Sequence, residues 1–185
     1  MEEQERPLIK VTLVGDHTGK THLLNAYVFD KLPDYSFSLF EHYKKTIKVD
    51  NQEYQLELHD TPGQEDYAKI RPLTYPNTKC FIICFSLSEK SSYKNVLHVW
   101  APELKRHMPD IPIVLVATKV DLRGDPKQET ITKAEGKKLQ RQIKAESYVE
   151  CSATKRINLQ EVFKEAVRCT ARKKTSKDSK SCTLS

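Results

Sequence analysis

The chain alternates between short apolar stretches and longer amphipathic stretches with helical spacing. The former predict β-strands, and the latter, with apolar residues three or four positions apart, predict helices. The predicted strands are about Leu8–Val14, Tyr43–Val49, Tyr54–His59, Cys80–Leu87, Ile113–Thr118 and Tyr148–Cys151. The predicted helices are Lys20–Phe29, Ser91–His107, Lys133–Lys144 and Leu159–Lys173. Because most strands are separated by helices, the pattern predicts an α/β fold with a six-stranded, mostly parallel sheet and helices on both faces.

Two details refine the predicted sheet. The stretches CFIICFSL and IPIVLVAT are apolar without alternation, as expected for strands buried on both faces. The short turn Asp50-Asn51-Gln52-Glu53 joins two alternating segments and predicts a hairpin, which adds one antiparallel edge strand. In a sheet of this kind, ligands bind beyond the carboxyl ends of the strands. The residues that follow each strand are therefore the first candidates for chemistry.

The stretch LVGDHTGKTHLL follows the first strand and ends in Gly19-Lys20-Thr21. Backbone amides at a helix start can hold phosphate oxygens, the lysine neutralises charge, and the threonine hydroxyl can reach Mg²⁺. The usual spacing G-x-x-x-x-G-K-[ST] would place the first glycine at position 14, but that position is Val14 and the glycine is Gly15. The loop is thus either a phosphate site shortened by one residue or a chance string.

Three further strand ends carry polar groups. In LHDTPGQEDY, Asp60 can hold the water shell of a metal, or it belongs to an acidic surface turn. In ATKVDL, Asp121 can accept hydrogen bonds from the N1–H and exocyclic amine of guanine while Lys119 lies along the ring; the alternative is a helix N-cap. The backbone amides of ECSAT can meet the guanine O6, or they form a plain turn. Together these ends favour guanine over adenine, because adenine would leave the carboxylate unpaired.

Composition and charge exclude several classes of protein. The 185 residues are 38% hydrophobic and 30% charged, which predicts one globular domain, and no apolar run suggests a membrane span. The start MEEQERP predicts neither a secretory leader nor myristoylation, so we expect a cytosolic chain with reduced cysteines. The net charge of +6 is concentrated in residues 168–180, which favours an anionic surface over nucleic acid, unless this run is simply a solvated end.

The motifs GKT, DTPGQEDY, TKVDL and ECSA together resemble those of small GTPases of the Ras superfamily. The stretch YSFSLFEHY resembles the first switch segment of the Rho branch, and QEDYAKIRPLTYP resembles its second switch segment. WAPELKRHMPDIPIVLVATKVDLR resembles a further stretch of that branch, and the match extends over about residues 8–169 and again at the terminus. The resemblance implies a P-loop G domain over 8–173, after a flexible segment 1–7 and before a disordered basic tail 174–185. It also implies a GTP/GDP-dependent switch at membranes that recruits effectors, often toward the actin cytoskeleton.

The resemblance implies a role for each matching residue. The phosphates would be bound by His17, Thr18, Gly19, Lys20, Thr21, His22 and Gly63. Mg²⁺ would be held by Thr21, Ser38 and Asp60, and guanine by Leu32, Thr118, Lys119, Asp121, Ser152 and Ala153. Gln64 would orient the attacking water while a GTPase-activating protein supplies an arginine. Tyr35, Phe40, Tyr43 and Tyr67 would face effectors; Trp100 would either do so or pack in the core, and core packing is favoured.

Two departures from the family concern catalysis. The family reads G-D-G-x-x-G-K-T, so the loop here lacks one residue and the middle glycine. Either His17 occupies space that Gln64 and an incoming arginine need, or the loop bows outward and His17 points to water. In addition, Pro62 replaces the family's alanine, which removes an amide donor and stiffens the segment. These changes predict slow hydrolysis and a weak response to activating proteins.

Other departures concern nucleotide exchange and partners. Leu32 stands where the family places an aromatic ring on the edge of the base. Unless the Phe29 ring takes that place, the loss of this contact predicts a barrier to nucleotide release that is lower by ~1 kcal/mol, and therefore faster exchange. Ser38, one position nearer to Lys20 than usual, keeps the hydroxyl but loses a methyl that helps order the switch. Only residues 124–130 separate DLR from the next helix, too few for the helix that the Rho branch inserts there.

The terminal CTLS fits a prenylation signal with a farnesyl group on Cys182, and the basic run supplies a second membrane signal. We therefore expect a monomer on the cytoplasmic face of the plasma membrane, with a cytosolic pool. Its expected partners are guanine-exchange factors, GTPase-activating proteins, effectors and a dissociation inhibitor, without nucleic acid. The alternatives are a nucleotide-loaded scaffold that never hydrolyses GTP and an ATP-using P-loop kinase, which Asp121 disfavours.

Overall fold

A computed structural model describes residues 6–33 and 40–181, with side chains as far as residue 172. The strands are β1 Leu8–Val14, β2 His42–Val49, β3 Gln52–Asp60, β4 Cys80–Ser86, β5 Ile113–Thr118 and β6 Ser147–Glu150. The α-helices are α1 Lys20–Phe29, α2 Lys90–Asn95, α3 Ala101–His107, α4 Lys133–Ile143 and α5 Leu159–Ser181. Short 3₁₀ turns occupy Glu65–Tyr67, Arg71–Thr74 and Val120–Leu122.

The six strands form one sheet in the order β2-β3-β1-β4-β5-β6. Only β2 and β3 pair antiparallel, so the prediction of a mostly parallel sheet with one antiparallel edge strand is confirmed. Every residue of β4 and β5 is buried, because helices cover both faces of these central strands. The register pairs Leu13 of β1 with Asp60 of β3, which brings the ends of these two strands to the same edge.

Two hydrophobic cores lie on opposite faces of the sheet. On one face, α1 and α5 bury Leu23, Leu24 and Phe163 against β1 and β3, and the Tyr27 ring stacks on Phe163 with centroids 4.0 Å apart. On the other face, the cluster around Trp100 and Phe85 joins α3 and α4 to β4 and β5. Of the helices in the described residues, none combines the length and apolar character that crossing a membrane requires.

The helix predicted over Ser91–His107 is in fact three segments. A π-helical turn at Val96–Trp100 separates α2 from α3, and the Ala101 amide bonds back five residues to the Val96 carbonyl. Pro102 explains the break, because it has no amide to donate to the carbonyl four residues earlier and its ring crowds that carbonyl.

The last helix is longer than predicted. It continues to Ser181, past the predicted end at Lys173, so residues 174–181, predicted to be part of a disordered tail, are helical. The described stretch from Arg123 to Thr132 has only turns and extended chain, as predicted for a chain without the inserted helix. Of the predicted flanking segments, residues 1–5 and 182–185 lie outside the described part of the chain.

Candidate functional site

The candidate site lies along the edge of the sheet where the parallel strands end. The loops that follow β1, β3, β5 and β6 meet there, because these four strands run in one direction. Two hydrogen bonds tie loops together directly: the Thr118 hydroxyl donates to the Thr18 carbonyl (2.5 Å), and the Val120 amide donates to the Cys151 carbonyl (3.0 Å). The four strand ends singled out in the sequence thus form one continuous surface.

The loop between β1 and α1 has five residues, Gly15 to Gly19. Gly15 has φ 140° and lies so close to β4 that a Cβ would sit 2.3 Å from the Cys84 carbonyl oxygen. Gly19 has φ 90°, in the left-handed region that favours glycine. The shortened loop therefore closes onto the helix with glycine at the two positions where the backbone requires it.

Helix α1 presents unpaired amides to this loop. The first helical hydrogen bond runs from the Leu23 amide to the Gly19 carbonyl (2.9 Å), so the amides of Lys20, Thr21 and His22 precede the helical ladder. Such amides are the donors with which a helix start binds phosphate. The Thr18 amide is different, because it donates within the loop to the Asp16 carbonyl (2.8 Å).

The two histidines of this region are exposed. His22 projects from the first turn of α1, and His17 lies at the outside of the loop. The His17 imidazole faces water, and this position does not separate the two arrangements predicted for the loop, because an exposed side chain can also obstruct an incoming arginine.

Lys20 is a buried cation held by the loop that precedes it. Its side chain lies in a residue only 6% exposed, and Nζ donates to the carbonyl oxygens of Gly15 and Asp16, each at 2.7 Å. Burial lowers the pKa of this ammonium, and the nearby Asp60 carboxylate opposes that shift. A buried positive charge whose hydrogen bonds go to neutral carbonyls suits an anionic ligand such as a phosphate.

Thr21 and Asp60 form the second half of the site. The Thr21 hydroxyl donates to Asp60 Oδ2 at 2.5 Å, and Asp60 is 8% exposed. Asp60 Oδ1 is buried and has no hydrogen-bond partner among the described residues. Burial raises the pKa of this carboxyl, while Lys20 and the Thr21 hydroxyl oppose the shift. An unpaired buried carboxylate oxygen beside a hydroxyl is a donor set that suits Mg²⁺.

The segment after β3 lies directly against the phosphate loop. A Cβ on Gly63 would be 2.4 Å from the Gly15 carbonyl oxygen and 3.0 Å from Asp16 Cα, so only glycine permits this approach. Gln64 follows, half-buried, and its Oε1 is buried without a hydrogen-bond partner in the described part of the chain. The side chain predicted to orient water is thus close to the loop and has a free acceptor.

Arg71 holds this segment in place, and the sequence did not reveal it. The guanidinium donates to the carbonyls of Pro62 (2.8 Å) and Gln64 (3.4 Å) and forms a two-point ion pair with Glu103, at 3.0 and 2.8 Å. It also lies 4.5 Å from the ring centroid of Trp100. No local pattern marks Arg71 as an anchor, because Glu103 is 32 positions away.

The residues predicted to bind guanine are brought together at the ends of β5 and β6. Lys119 adopts φ 62°, and its ammonium pairs with Glu89 at 3.2 Å. Asp121 lies half-buried in the 3₁₀ turn, and its carboxylate has no hydrogen-bond partner among the residues described. The Ser152 amide donates to the Ile157 carbonyl (3.1 Å), which leaves Ala153 as the nearer candidate to donate to a base.

The predicted contacts on the first-switch side are only partly described. Leu32 is 39% exposed and lines a cavity of about 270 Å³ together with Thr21 and Tyr43. Phe29 packs edge-to-face on Tyr43 with centroids 5.4 Å apart, and Phe40 packs the same way on Tyr67 at 6.1 Å. Three predicted residues lie outside the described chain: Tyr35, Ser38 and Cys182.

Trp100 is 2% exposed, so the favoured prediction of core packing is confirmed and the partner-facing alternative is wrong. Its indole N–H nevertheless reaches the candidate site, where it donates to Asp16 Oδ1 at 2.9 Å. No local pattern indicated this contact, because the π-helical turn sets the direction of the side chain.

Comparisons with known proteins agree with this geometry. A model of the Ras family matches residues 10–172. The chain is similar to a protein of Drosophila melanogaster named Ras-like GTP-binding protein RhoL, with 45% identity over 181 residues. That alignment covers 97% of this chain and 95% of the fly protein.

Proposed function

The chain belongs to the Ras family of small GTPases, and from that premise we propose that it is a Rho-like switch with slow GTP hydrolysis and fast nucleotide exchange. One observation carries the proposal: the buried Lys20 ammonium lies beside the Thr21–Asp60 pair at the start of α1. The Rho-like part rests on the Rho-type stretches of the sequence and on the similarity to a protein named RhoL.

Lys20 and the start of α1 bind the phosphates in this proposal. The ammonium exchanges its carbonyl partners for β- and γ-phosphate oxygens, and the amides of Lys20, Thr21 and His22 donate to the same group. Thr21 and Asp60, together with Ser38, would hold Mg²⁺. When bound, Mg²⁺ supplies the positive charge that neutralises the phosphate oxygens.

Asp121 selects the base. Its carboxylate accepts from the N1–H and the 2-amino group of guanine, Lys119 and Thr118 support the ring plane, and the Ala153 amide reaches O6. Adenine has no N1–H and would leave the half-buried carboxylate unpaired, which disfavours an ATP-using kinase.

Gln64 positions the attacking water, and an activating protein supplies an arginine. Three features support slow turnover: the loop is one residue shorter than the family pattern, Pro62 stiffens the segment, and Arg71 fixes the carbonyls on both sides of Gly63. The alternative, a nucleotide-loaded scaffold, differs only in that GTP is never cleaved.

The partners and the location are also part of the proposal. Exchange factors, activating proteins, a dissociation inhibitor and effectors toward the actin cytoskeleton are the expected partners. Phe40, Tyr43 and Tyr67 present aromatic rings next to the switch segments, which suits effector contacts. A farnesyl group on Cys182 with the basic run would hold the protein at the plasma membrane; replacing this cysteine by serine should shift it to the cytosol.

The direct test is binding of fluorescent GDP to the purified chain, with and without Mg²⁺ and with ATP as competitor. We expect tight, Mg²⁺-dependent binding that ATP does not displace. Asp121→Asn should transfer the preference from GDP to xanthosine diphosphate, since the new amide donates to the 2-oxo group of xanthine. Absence of GDP binding by folded protein would refute the proposed function. Phosphate release in a single turnover distinguishes a slow enzyme from a scaffold.

A further inference from the structure

The side chain of Asp16, inside the phosphate loop, has two donors from a distant part of the chain. Asn95 Nδ2 donates to Oδ2 at 2.8 Å, and the Trp100 indole N–H donates to Oδ1 at 2.9 Å. Each carboxylate oxygen thus has its own partner. The two donors lie 79 and 84 residues from Asp16, at the end of α2 and in the π-helical turn that follows.

The backbone of the same residue organises the site. The Asp16 carbonyl accepts from Lys20 Nζ (2.7 Å) and from the Thr18 amide (2.8 Å). Its Cα is also one of the atoms that force residue 63 to be glycine. The backbone of Asp16 therefore contacts Lys20 and the segment around Gly63, whereas its carboxylate contacts Asn95 and Trp100. Without the contacts to its carboxylate, the backbone of Asp16 would be free to shift, and with it the carbonyl that accepts from Lys20.

The chemistry of Asp16, Asn95 and Trp100 determines which group donates each hydrogen bond and which accepts it. An ionised carboxylate only accepts hydrogen bonds, and the indole N–H only donates, so Trp100 can pair with Asp16 in one sense only. Hydrogen bonds to a charged acceptor are stronger than those between neutral groups. The π-helical turn next to Pro102 places Asn95 and Trp100 on the loop side together, five positions apart rather than four.

We propose that Asn95 and Trp100 are positioning residues for the phosphate site: by holding the Asp16 carboxylate, they fix a loop that is one residue shorter than the family pattern so that Lys20 and the α1 amides meet the β-phosphate. The inference rests on the proposed function, since it concerns the same nucleotide site. It predicts an effect limited to ligands that carry a β-phosphate.

The experiment compares GDP with GMP, which has the same base and sugar but no β-phosphate. Asn95→Ala should raise the Kd for GDP about tenfold, the effect of one lost hydrogen bond to a charged group, while the Kd for GMP changes less than twofold. Trp100→Phe, which keeps an aromatic ring but removes the N–H, should act in the same direction. Gln140→Ala is the matched control, because it removes one side-chain amide bond on α4, to the Ala145 carbonyl.

A reciprocal exchange of the side chains at positions 16 and 95 tests whether these two residues contact each other directly. Asn95→Asp places two carboxylates together and should weaken GDP binding more than Asn95→Ala. Combining it with Asp16→Asn should restore much of the loss, because the amide introduced at position 16 can donate to the new carboxylate and still accept from the Trp100 N–H. Thermal unfolding without nucleotide checks that each variant is folded.

The outcomes separate the two claims. If GDP and GMP lose affinity in parallel, or if Asn95→Ala and the reciprocal exchange leave GDP binding unchanged, the positioning role is refuted while the proposed function stands. If the unaltered chain does not bind GDP, the proposed function fails first, and the positioning role with it.

Discussion

The Thr21 hydroxyl donates a 2.5 Å hydrogen bond to Asp60 Oδ2, which joins the start of α1 to the end of β3. The second oxygen of the same carboxylate is buried and has no hydrogen-bond partner among the described residues. Burial disfavours the charged form of Asp60 and raises its pKa, so a cation at this position would relieve an unfavourable arrangement. The Thr21–Asp60 pair, with its buried carboxylate, therefore fits a metal site better than an acidic surface turn.

Removing the charge of Asp60 should uncouple nucleotide release from Mg²⁺. Asp60→Asn keeps the shape of the side chain but binds the metal at least tenfold more weakly, so its GDP release should already be fast. Chelation with EDTA should accelerate GDP release from the unaltered chain tenfold or more and leave the variant nearly unaffected, as followed by fluorescence of labelled GDP. Asp50→Asn, which alters an exposed ion pair with Arg168, is the control. An equal EDTA response in all three proteins would contradict the metal assignment.

Leu32→Phe should slow GDP release. Leu32 stands where the family pattern places an aromatic ring on the base, and it is 39% exposed in a cavity that Thr21 and Tyr43 also line. An aromatic ring at this position would gain an edge contact with the base of ~1 kcal/mol, or about fivefold in rate. Leu8→Phe, at the exposed start of β1, makes the same change at the opposite edge of the sheet. Off-rates of labelled GDP measure the difference. No change in the Leu32 variant would show that this residue does not contact the base.

The sequence was most informative where function depends on local spacing. Lys20 and Thr21 follow a strand and open a helix, Asp60 ends a strand, and Asp121 follows one. Their meeting place could therefore be predicted from the direction of the strands. Arg71 could not be predicted, because its partners Pro62, Trp100 and Glu103 converge only in the folded chain.

The contact between Trp100 and Asp16 was missed for a related reason. The predicted helix over this region was regular, and a regular helix gives Trp100 a different direction from the π-helical turn that Pro102 causes. Burial of Trp100 could be predicted from its apolar surroundings, but the orientation of its N–H could not. Local rules therefore located the site, whereas its rigidity depends on contacts between distant residues.

The buried ion pair between Arg71 and Glu103 should contribute strongly to stability. Glu103→Gln leaves the Arg71 charge without a matching carboxylate, and the expected loss is ~3–5 kcal/mol at pH 7 by urea denaturation. Glu129→Gln, in the exposed pair with Lys90, should cost under about 1 kcal/mol. The double variant Arg71→Met with Glu103→Leu should lose less than the sum of the single changes.

The Arg71–Glu103 pair also predicts that the free energy of unfolding depends on pH in the acid range. Burial tends to raise the pKa of Glu103, but hydrogen bonds from Arg71 and Tyr75 prevail and hold it below its ordinary value. A carboxyl with a lowered folded pKa stabilises above its unfolded pKa of about 4.3 and loses that contribution as pH falls through the folded pKa. The free energy of unfolding of the unaltered chain should thus decrease as the pH falls below about 4.3, and Glu103→Gln should show a shallower decrease. Equal slopes would refute this assignment.

Pro62→Ala should speed GTP hydrolysis, because Pro62 restricts the segment that carries Gln64. The proline fixes its own φ and biases Thr61 toward extended geometry, and the Thr61 hydroxyl is already anchored on the Leu13 carbonyl at 2.6 Å. Alanine releases one of these constraints while the Arg71 contact to the carbonyl at position 62 can persist. Losing the proline should lower the free energy of unfolding by ~0.4–1 kcal/mol. Single-turnover phosphate release should rise severalfold, because the segment that carries Gln64 is less restricted. Gln64→Leu in either background should remove the difference, since the gain acts through Gln64. If Pro62→Ala leaves the rate unchanged while its unfolding free energy falls, the proline stabilises the fold without limiting turnover. The proposed slow hydrolysis would then depend on the short phosphate loop and on the Arg71 contacts.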